Sequence, residues 1–169
     1  MPYTFVTGGS SSGKSAFVLD LFRKQDRVTF IATGRATDPE MALRIREHRR
    51  ERPGTWSTVE EPLDLAGTLE SCGGGGAIID DLTFWVTNQL YLAGASERDV
   101  LRFAARTAAA LRAFPGPAAV VTNEVGQGLV PDSPEGRRFR KISGEVNRIF
   151  AREAGEAYLV VSGLPLRLK

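Results

Sequence analysis

The segment Gly8-Gly9-Ser10-Ser11-Ser12-Gly13-Lys14-Ser15 satisfies the spacing G-x-x-x-x-G-K-[ST]. It follows an apolar run, Tyr3–Thr7, and opens a run of helical period, Lys14–Phe22. That context gives the motif its force. Glycines let the backbone curl until successive N–H groups face one point, and the following helix turns the positive end of its dipole there. A lysine on such a loop reaches the β- and γ-phosphates of a nucleotide, and the next hydroxyl can ligate Mg²⁺. A chain built around this loop therefore needs a buried strand before it, a helix after it, and a sheet whose carboxyl edge holds the ligand.

The rest of the 169 residues keeps to that plan. Short β-branched or apolar runs at Val28–Ala32, Ala77–Asp80, Ala118–Thr122 and Ala157–Val161 read as further buried strands. Segments of helical period lie between them at Pro39–Arg52, Phe84–Leu92, Glu97–Phe114 and Glu135–Ala154. Strand–helix alternation predicts an α/β protein with a mostly parallel central sheet flanked by helices on both faces. Ser162-Gly163-Leu164-Pro165 reads as a tight turn returning Leu166–Leu168 as an antiparallel edge strand, a place that tolerates Pro165. Gly73–Gly76, four glycines between a helix and a strand, reads as a flexible surface loop. No linker separates two complete hydrophobic patterns, so residues 1–169 are expected to form a single P-loop NTPase domain.

Composition narrows the function classes. A formal charge of +2 is too small by itself to draw a nucleic acid or an anionic membrane, and neither is expected as a partner. The 18 Arg against 4 Lys suit phosphate recognition, but GC-rich coding produces the same excess. No apolar run approaches the ~20 residues of a membrane span, and the start lacks the basic region of a signal peptide. A cytoplasmic protein is the expectation. The lone Cys72 excludes an intrachain disulfide and a Cys/His zinc cluster, and any histidine chemistry must use His48.

Two further segments carry chemistry. Ala77-Ile78-Ile79-Asp80-Asp81 is an apolar strand ending in carboxylates, where a P-loop protein needs a metal-positioning acid. Asp80 is the candidate, with Ser15, for holding Mg²⁺. Asp81 either joins it or only caps the next helix. Downstream of Thr37-Asp38-Pro39-Glu40, a helix start, Arg44, His48 and Arg52 fall at i, i+4 and i+8, beside a core-facing stripe of Met41 and Ile45. Neighbouring cations disfavour imidazolium and leave a nucleophilic ring near a phosphate clamp. The same pattern also describes a solvated basic helix with an incidental histidine.

The phosphate loop, Ile31-Ala32-Thr33, and Arg44-Ile45-x-x-His48-Arg49-x-x-Arg52-Pro53-x-x-Trp56 together resemble the bifunctional adenosylcobinamide kinase/adenosylcobinamide-phosphate guanylyltransferase family. The likeness continues through Val86-Thr87-Asn88, then Val121-Thr122-Asn123-Glu124-Val125-Gly126-x-Gly128-x-Val130-Pro131, to Val161-Ser162-Gly163. It spans essentially the whole chain in order. The resemblance implies an enzyme of cobalamin biosynthesis or salvage that phosphorylates adenosylcobinamide from ATP or GTP. It then transfers GMP from GTP to adenosylcobinamide phosphate through a GMP–histidine intermediate, with His48 at the matching position.

Carried over residue by residue, the family's nucleotide contacts fall on Gly8, Gly9, Ser10, Ser11, Ser12, Gly13, Lys14 and Ser15. They continue with Thr33, Gly34, Arg35, Arg49, Arg50, Glu51, Arg52, Glu60 and Asp80. Several relatives have Glu where Asp80 stands, and Arg49–Arg52 is unusually basic here. Asn123 and Glu124 are weaker candidates for substrate contact, being in a loop after a strand. The resemblance also implies a homo-oligomer, a trimer; Trp56 and Trp85 suit an interface or the core equally. The rival expectation is a P-loop small-molecule kinase that forms no covalent guanylyl intermediate.

Overall fold

A computed structural model describes residues 2–169, apart from the side chain of Arg44. The chain runs β1 (Thr4–Gly8), α1 (Lys14–Leu21), β2 (Val28–Ala32), α2 (Pro39–Arg50), β3 (Ser57–Glu60), α3 (Leu65–Ser71) and β4 (Gly76–Asp80). It continues through α4 (Leu82–Thr87), a π-helical extension (Asn88–Leu92), α5 (Glu97–Ala113), β5 (Ala118–Asn123), α6 (Pro134–Glu153), β6 (Glu156–Val161) and β7 (Leu164–Arg167). The seven strands form one sheet in the order β3-β2-β4-β5-β1-β6-β7. All neighbours pair in parallel except β6 and β7, which are antiparallel.

Period-two alternation sorts the strand side chains onto two buried faces. Phe5, Ile79 and Val120 join Trp85, Leu111, Ile142 and Phe150 under α4, α5 and α6. Val6, Ile78, Val121 and Val160 join Val18, Phe22, Phe30 and Trp56 on the α1 side. Burial on both faces explains why these strands read as continuous apolar runs. Trp85 is fully buried and donates its indole N–H to the Leu63 carbonyl at 2.9 Å. Trp56 is buried as well and donates to the Gln25 carbonyl at 3.0 Å. Both tryptophans belong to the core of the chain.

Several expectations need correction. β3 was not foreseen: Ser57-Thr58-Val59-Glu60 is a short edge strand with largely exposed residues, so no buried alternation marks it. The C-terminal turn is Ser162-Gly163 alone, both in the left-handed region (φ 52° and 79°), so β7 begins at Leu164 and contains Pro165. Such a two-residue turn matches the twist of the strands it joins. Nor is the glycine run merely a flexible loop. Gly76 is buried in β4, where an added Cβ would stand 3.0 Å from the Phe22 ring. α2 ends at Arg50, ahead of Pro53, so Arg52 leaves the helix.

The pairing registers align the carboxyl ends of five strands. Gly8 of β1 lies beside Asn123 of β5, Asp80 of β4 beside Val121 of β5, and Ala32 of β2 beside both Asp80 and Glu60 of β3. Among the described residues, no helix is long and apolar enough to cross a membrane.

Candidate active site

The phosphate loop is built into the core. At Gly8 a Cβ would collide with the Val160 carbonyl oxygen, so only glycine lets β1 turn here. Gly13 has φ 94°, and its Cβ would stand 3.0 Å from the Gly163 Cα. The Gly163 N–H donates to the Ser12 carbonyl at 2.8 Å, so the β6–β7 turn braces the loop from outside. Lys14 is only 7% exposed and donates from Nζ to the Gly9 carbonyl at 2.6 Å, which folds its side chain back over the loop.

α1 differs from the other α-helices at its start. α2, α3, α4, α5 and α6 are capped by the side chains of Asp38, Asp64, Asp81, Ser96 and Ser133. Gly13, the cap position of α1, supplies no side chain. No side-chain cap therefore occupies the start of that helix, which turns the positive end of its dipole to an anion.

Asp80 closes β4, and Asp81 caps α4 by accepting from the Phe84 N–H at 2.8 Å. The other Asp81 carboxylate oxygen accepts from Asn123 Nδ2 at 3.0 Å. Thr33, fully buried, donates its hydroxyl to the Asp81 carbonyl at 2.6 Å and accepts from the Asp81 N–H at 2.9 Å. Asn88 Nδ2 in turn donates to the Thr33 carbonyl at 2.9 Å. Burial pushes the Asp81 carboxyl up to about 6, and the neighbouring Asp80 charge adds to the effect. The Asn123 and Glu124 backbones are held too, by the Thr83 hydroxyl (2.9 Å) and the Gly8 carbonyl (2.9 Å).

α2 stands across from the loop. None of its described side chains is fully buried. Met41, Ile45, His48 and Arg49, at i, i+4, i+7 and i+8, share the face turned to the cleft. Met41 and Ile45 therefore line the cleft instead of the core stripe expected for them. Arg52 rejoins this wall from beyond the helix. Its guanidinium lies 3.4 Å from the centroid of the Phe30 ring and donates to the Thr58 hydroxyl at 3.1 Å. Burial there lowers its pKa from the usual arginine value.

The cleft between these walls measures ≈ 870 Å³. Of the residues singled out from sequence, Ser10–Ser15, Gly34, His48, Arg49, Arg52, Glu60, Asp80, Asn123 and Glu124 line it. Gly8 lies beneath, packed on Val160, while Gly9 is exposed and contributes its carbonyl to Lys14. Thr33 fixes the acid pair from behind, and neither it nor Arg35 and Arg50, both exposed, is part of the cleft wall. Glu51 borders a narrow recess beside His48 and Asp80. Arg44 falls outside the described side chains. Sequence reasoning assigned no site role to Glu47, Thr58, Thr83, Phe84 and Val125, which also line the cleft. Thr83 and Phe84 could have been found as the first turn of the helix directly after the acid pair.

The donors around Ser15 suit a small hard cation. A hydroxyl and two adjacent carboxylates share the cleft, and among the described residues no group of three or more His, Cys, Asp or Glu could enclose a metal alone. Mg²⁺ is characteristically held by one or two carboxylates together with substrate phosphates. The residues therefore fit it.

A phosphate loop at the carboxyl end of β1, an anion-ready helix start and an acid pair two strands away define a P-loop nucleotide-binding protein. Solved structures agree on the fold. A Pyrococcus horikoshii protein superposes with a TM-score of 0.60 at 8% identity, over 99% of this chain and 86% of its own. An ATPase from the type III secretion system of pathogenic bacteria gives 0.58 at 12%, over 98% of this chain and 56% of its own.

The model of one family, cobinamide kinase / cobinamide phosphate guanyltransferase, matches residues 4–168, and the chain belongs to that family. It is 37% identical to the bifunctional adenosylcobalamin biosynthesis protein CobU of Salmonella typhimurium, over 97% of this chain and 98% of the relative. It is 38% identical to the bifunctional adenosylcobalamin biosynthesis protein CobP of Pseudomonas aeruginosa, over 97% and 95%.

Proposed function

We propose that this chain carries out both reactions for which its family is named. It phosphorylates adenosylcobinamide using ATP or GTP, then transfers GMP from GTP to adenosylcobinamide phosphate, releasing pyrophosphate and forming adenosylcobinamide-GDP. The observation that carries this reading is one cleft with a phosphate grip on one wall and His48, the chain's sole histidine, on the other.

In the kinase step, the α1 N-terminus and the Ser10–Ser15 backbone hold the phosphates, and Lys14 neutralises charge on the β–γ side. The Lys14 bond to Gly9 gives way to the nucleotide. Mg²⁺ would be held by Ser15 and Asp80, with Asp81 beside them, and would supply electrostatic stabilisation of the triphosphate. Thr33, Asn123 and Asn88 keep the acid pair in place. The substrate hydroxyl oxygen forms the new bond to the γ-phosphorus as the bond to the β–γ bridging oxygen breaks; the nucleoside diphosphate leaves with those electrons and the hydroxyl proton passes to solvent.

In the guanylyl step, an unprotonated ring nitrogen of His48 bonds to the α-phosphorus of GTP, and pyrophosphate leaves with the electrons of the broken P–O bond. Arg49 and Arg52 on the same wall, and Lys14 on the wall opposite, counter the phosphate charge. An oxygen of adenosylcobinamide phosphate then attacks the same phosphorus, the P–N bond breaks, and His48 is restored. Splitting one displacement into two uses the imidazole as both nucleophile and leaving group. Glu60, at the end of β3, lines the cleft and is a further nucleotide contact by family resemblance. Gly34 contributes backbone to the same pocket.

The enzyme acts as a single domain in the cytoplasm and as a homo-oligomer, a trimer by family resemblance. Incubation with adenosylcobinamide and γ-labelled nucleotide, followed by GTP, tests the reading. Labelled adenosylcobinamide phosphate that converts to the GDP derivative supports it. Nucleotide binding without phosphorylation of the corrinoid would sink it.

A further inference from the structure

Behind the carboxyl end of β5, α6 packs on the sheet, and none of its described residues lines the cleft. Along most of that seam the packing is apolar, with Phe5 and Val120 in one cluster with Val146 and Phe150. Toward the cleft it turns polar. Thr7 and Thr122, register partners in β1 and β5, are buried, and so is Ser143, one turn before Asn147 on α6. Asn147 Oδ1 accepts from the Thr122 hydroxyl at 2.9 Å, and its Nδ2 donates to the Asn123 carbonyl at 3.2 Å. A buried polar pair adds little net stability over a well-packed apolar one, so what this pair supplies is geometry.

That geometry concerns one peptide unit. The Asn123 carbonyl and the Glu124 N–H belong to the same plane. Asn147 holds the carbonyl, while the Glu124 N–H donates to the Gly8 carbonyl, at the head of the phosphate loop, at 2.9 Å. The unit is thus pinned between α6 and the loop. One residue earlier, the Asn123 N–H donates to the Thr83 hydroxyl at 2.9 Å. Backbone fixed on both sides sets the direction in which the Asn123 side chain leaves, and its Nδ2 donates to the Asp81 carboxylate at 3.0 Å. We propose that Asn147 is a positioning residue for phosphoryl transfer, acting through the Asn123–Glu124 peptide to hold Asn123 on Asp81. It lies outside the cleft and works only through that peptide. The assignment rests on the function proposed above.

The test compares Asn147→Asp, Asn147→Leu and Thr122→Val in the full chain. Aspartate keeps an acceptor for the Thr122 hydroxyl but has no N–H for the Asn123 carbonyl. Leucine, similar in size, repeats that loss without adding charge. Both should lose about tenfold or more in kcat for adenosylcobinamide phosphorylation, the cost of a misplaced group. Nucleotide affinity and the urea midpoint of Asn147→Leu should stay near wild type. Thr122→Val leaves the Asn147 donor in place and should slow less than either. Adding Asn147→Leu to Asn123→Ala should slow the enzyme no further, because the side chain being aimed is already gone. Wild-type kcat in both Asn147 variants would overturn the assignment. Additive slowing in the double variant, or a fall in kcat matched by a fall in nucleotide affinity, would mark Asn147 as packing alone and overturn it too. A wild-type protein that binds nucleotide but does not phosphorylate adenosylcobinamide would remove the proposed function and this role with it. A working wild type matched by the variants removes the positioning role alone.

Discussion

The two walls of the cleft are made in opposite ways. The phosphate loop is locked by backbone packing: the Val160 carbonyl against Gly8, Gly163 against Gly13, and the Gly163 N–H on the Ser12 carbonyl. α2 has no fully buried described side chain and is fastened near its ends, by the Asp38 cap and by Arg52 and Trp56 beyond its last turn. The difference follows from what each must do. A phosphate grip works by preorganised dipoles that do not reorganise during the reaction. A histidine that forms and breaks a bond to phosphorus needs access to the cleft more than burial. Function common to both reactions is thus placed in the rigid wall, and function particular to one is placed on the lightly held wall.

Substitutions on the two walls should therefore separate. The largest effect belongs to Lys14→Met, which removes a charge both reactions use. Both should fall by about 10²–10³-fold together, as for loss of a single oxyanion-type donor, measured as kcat for phosphorylation and as label from α-labelled GTP. A loss confined to one reaction would break the division.

Asp81 sharpens it through pH. Its carboxyl is raised from 3.8 to about 6, so the native protein holds this proton more tightly than the unfolded chain. Stability from this group is complete below the unfolded value and is lost as pH rises through the native one. Over roughly pH 4–6, nucleotide-free protein should lose stability relative to Asp81→Asn, by about 3 kcal/mol at most. Urea unfolding across that range checks it. A difference that stays flat, or that grows in favour of wild type with rising pH, contradicts the assignment.

The smallest effect belongs to the anchor of α2. Arg52→Ala removes the stack on Phe30 and the bond to Thr58, so stability should fall by about 1–2 kcal/mol. Guanylylation should slow about tenfold more than phosphorylation, because the anchor positions His48 and leaves Lys14 alone. Equal slowing of both would place Arg52 with the shared phosphate grip.

What could be read in the sequence follows the same line. The rigid wall was legible because its residues are dictated locally: glycines where a Cβ collides, a lysine and hydroxyl at fixed spacing, an acid pair after an apolar strand. Exposed pieces were not. β3 carries no buried alternation, and the turn at Ser162-Gly163 depends on left-handed backbone that Ser162 disguises. Extending α2 to Arg52 put Arg44, His48 and Arg52 on one face, but the helix stops two residues earlier and the cleft face is Met41, Ile45, His48 and Arg49. Thr33 could be picked as a motif residue. Its burial beneath the acid pair, which makes it a support, is a tertiary fact that no spacing contains.

The central claim is that His48 carries the guanylyl group, and one labelling experiment tests it most directly. Wild-type protein incubated with α-labelled GTP and Mg²⁺ should acquire acid-labile, alkali-stable label. His48→Ala should acquire none while binding nucleotide and retaining most of its adenosylcobinamide phosphorylation. Equal label on both proteins, or none on a wild type that still forms adenosylcobinamide-GDP, would contradict the account.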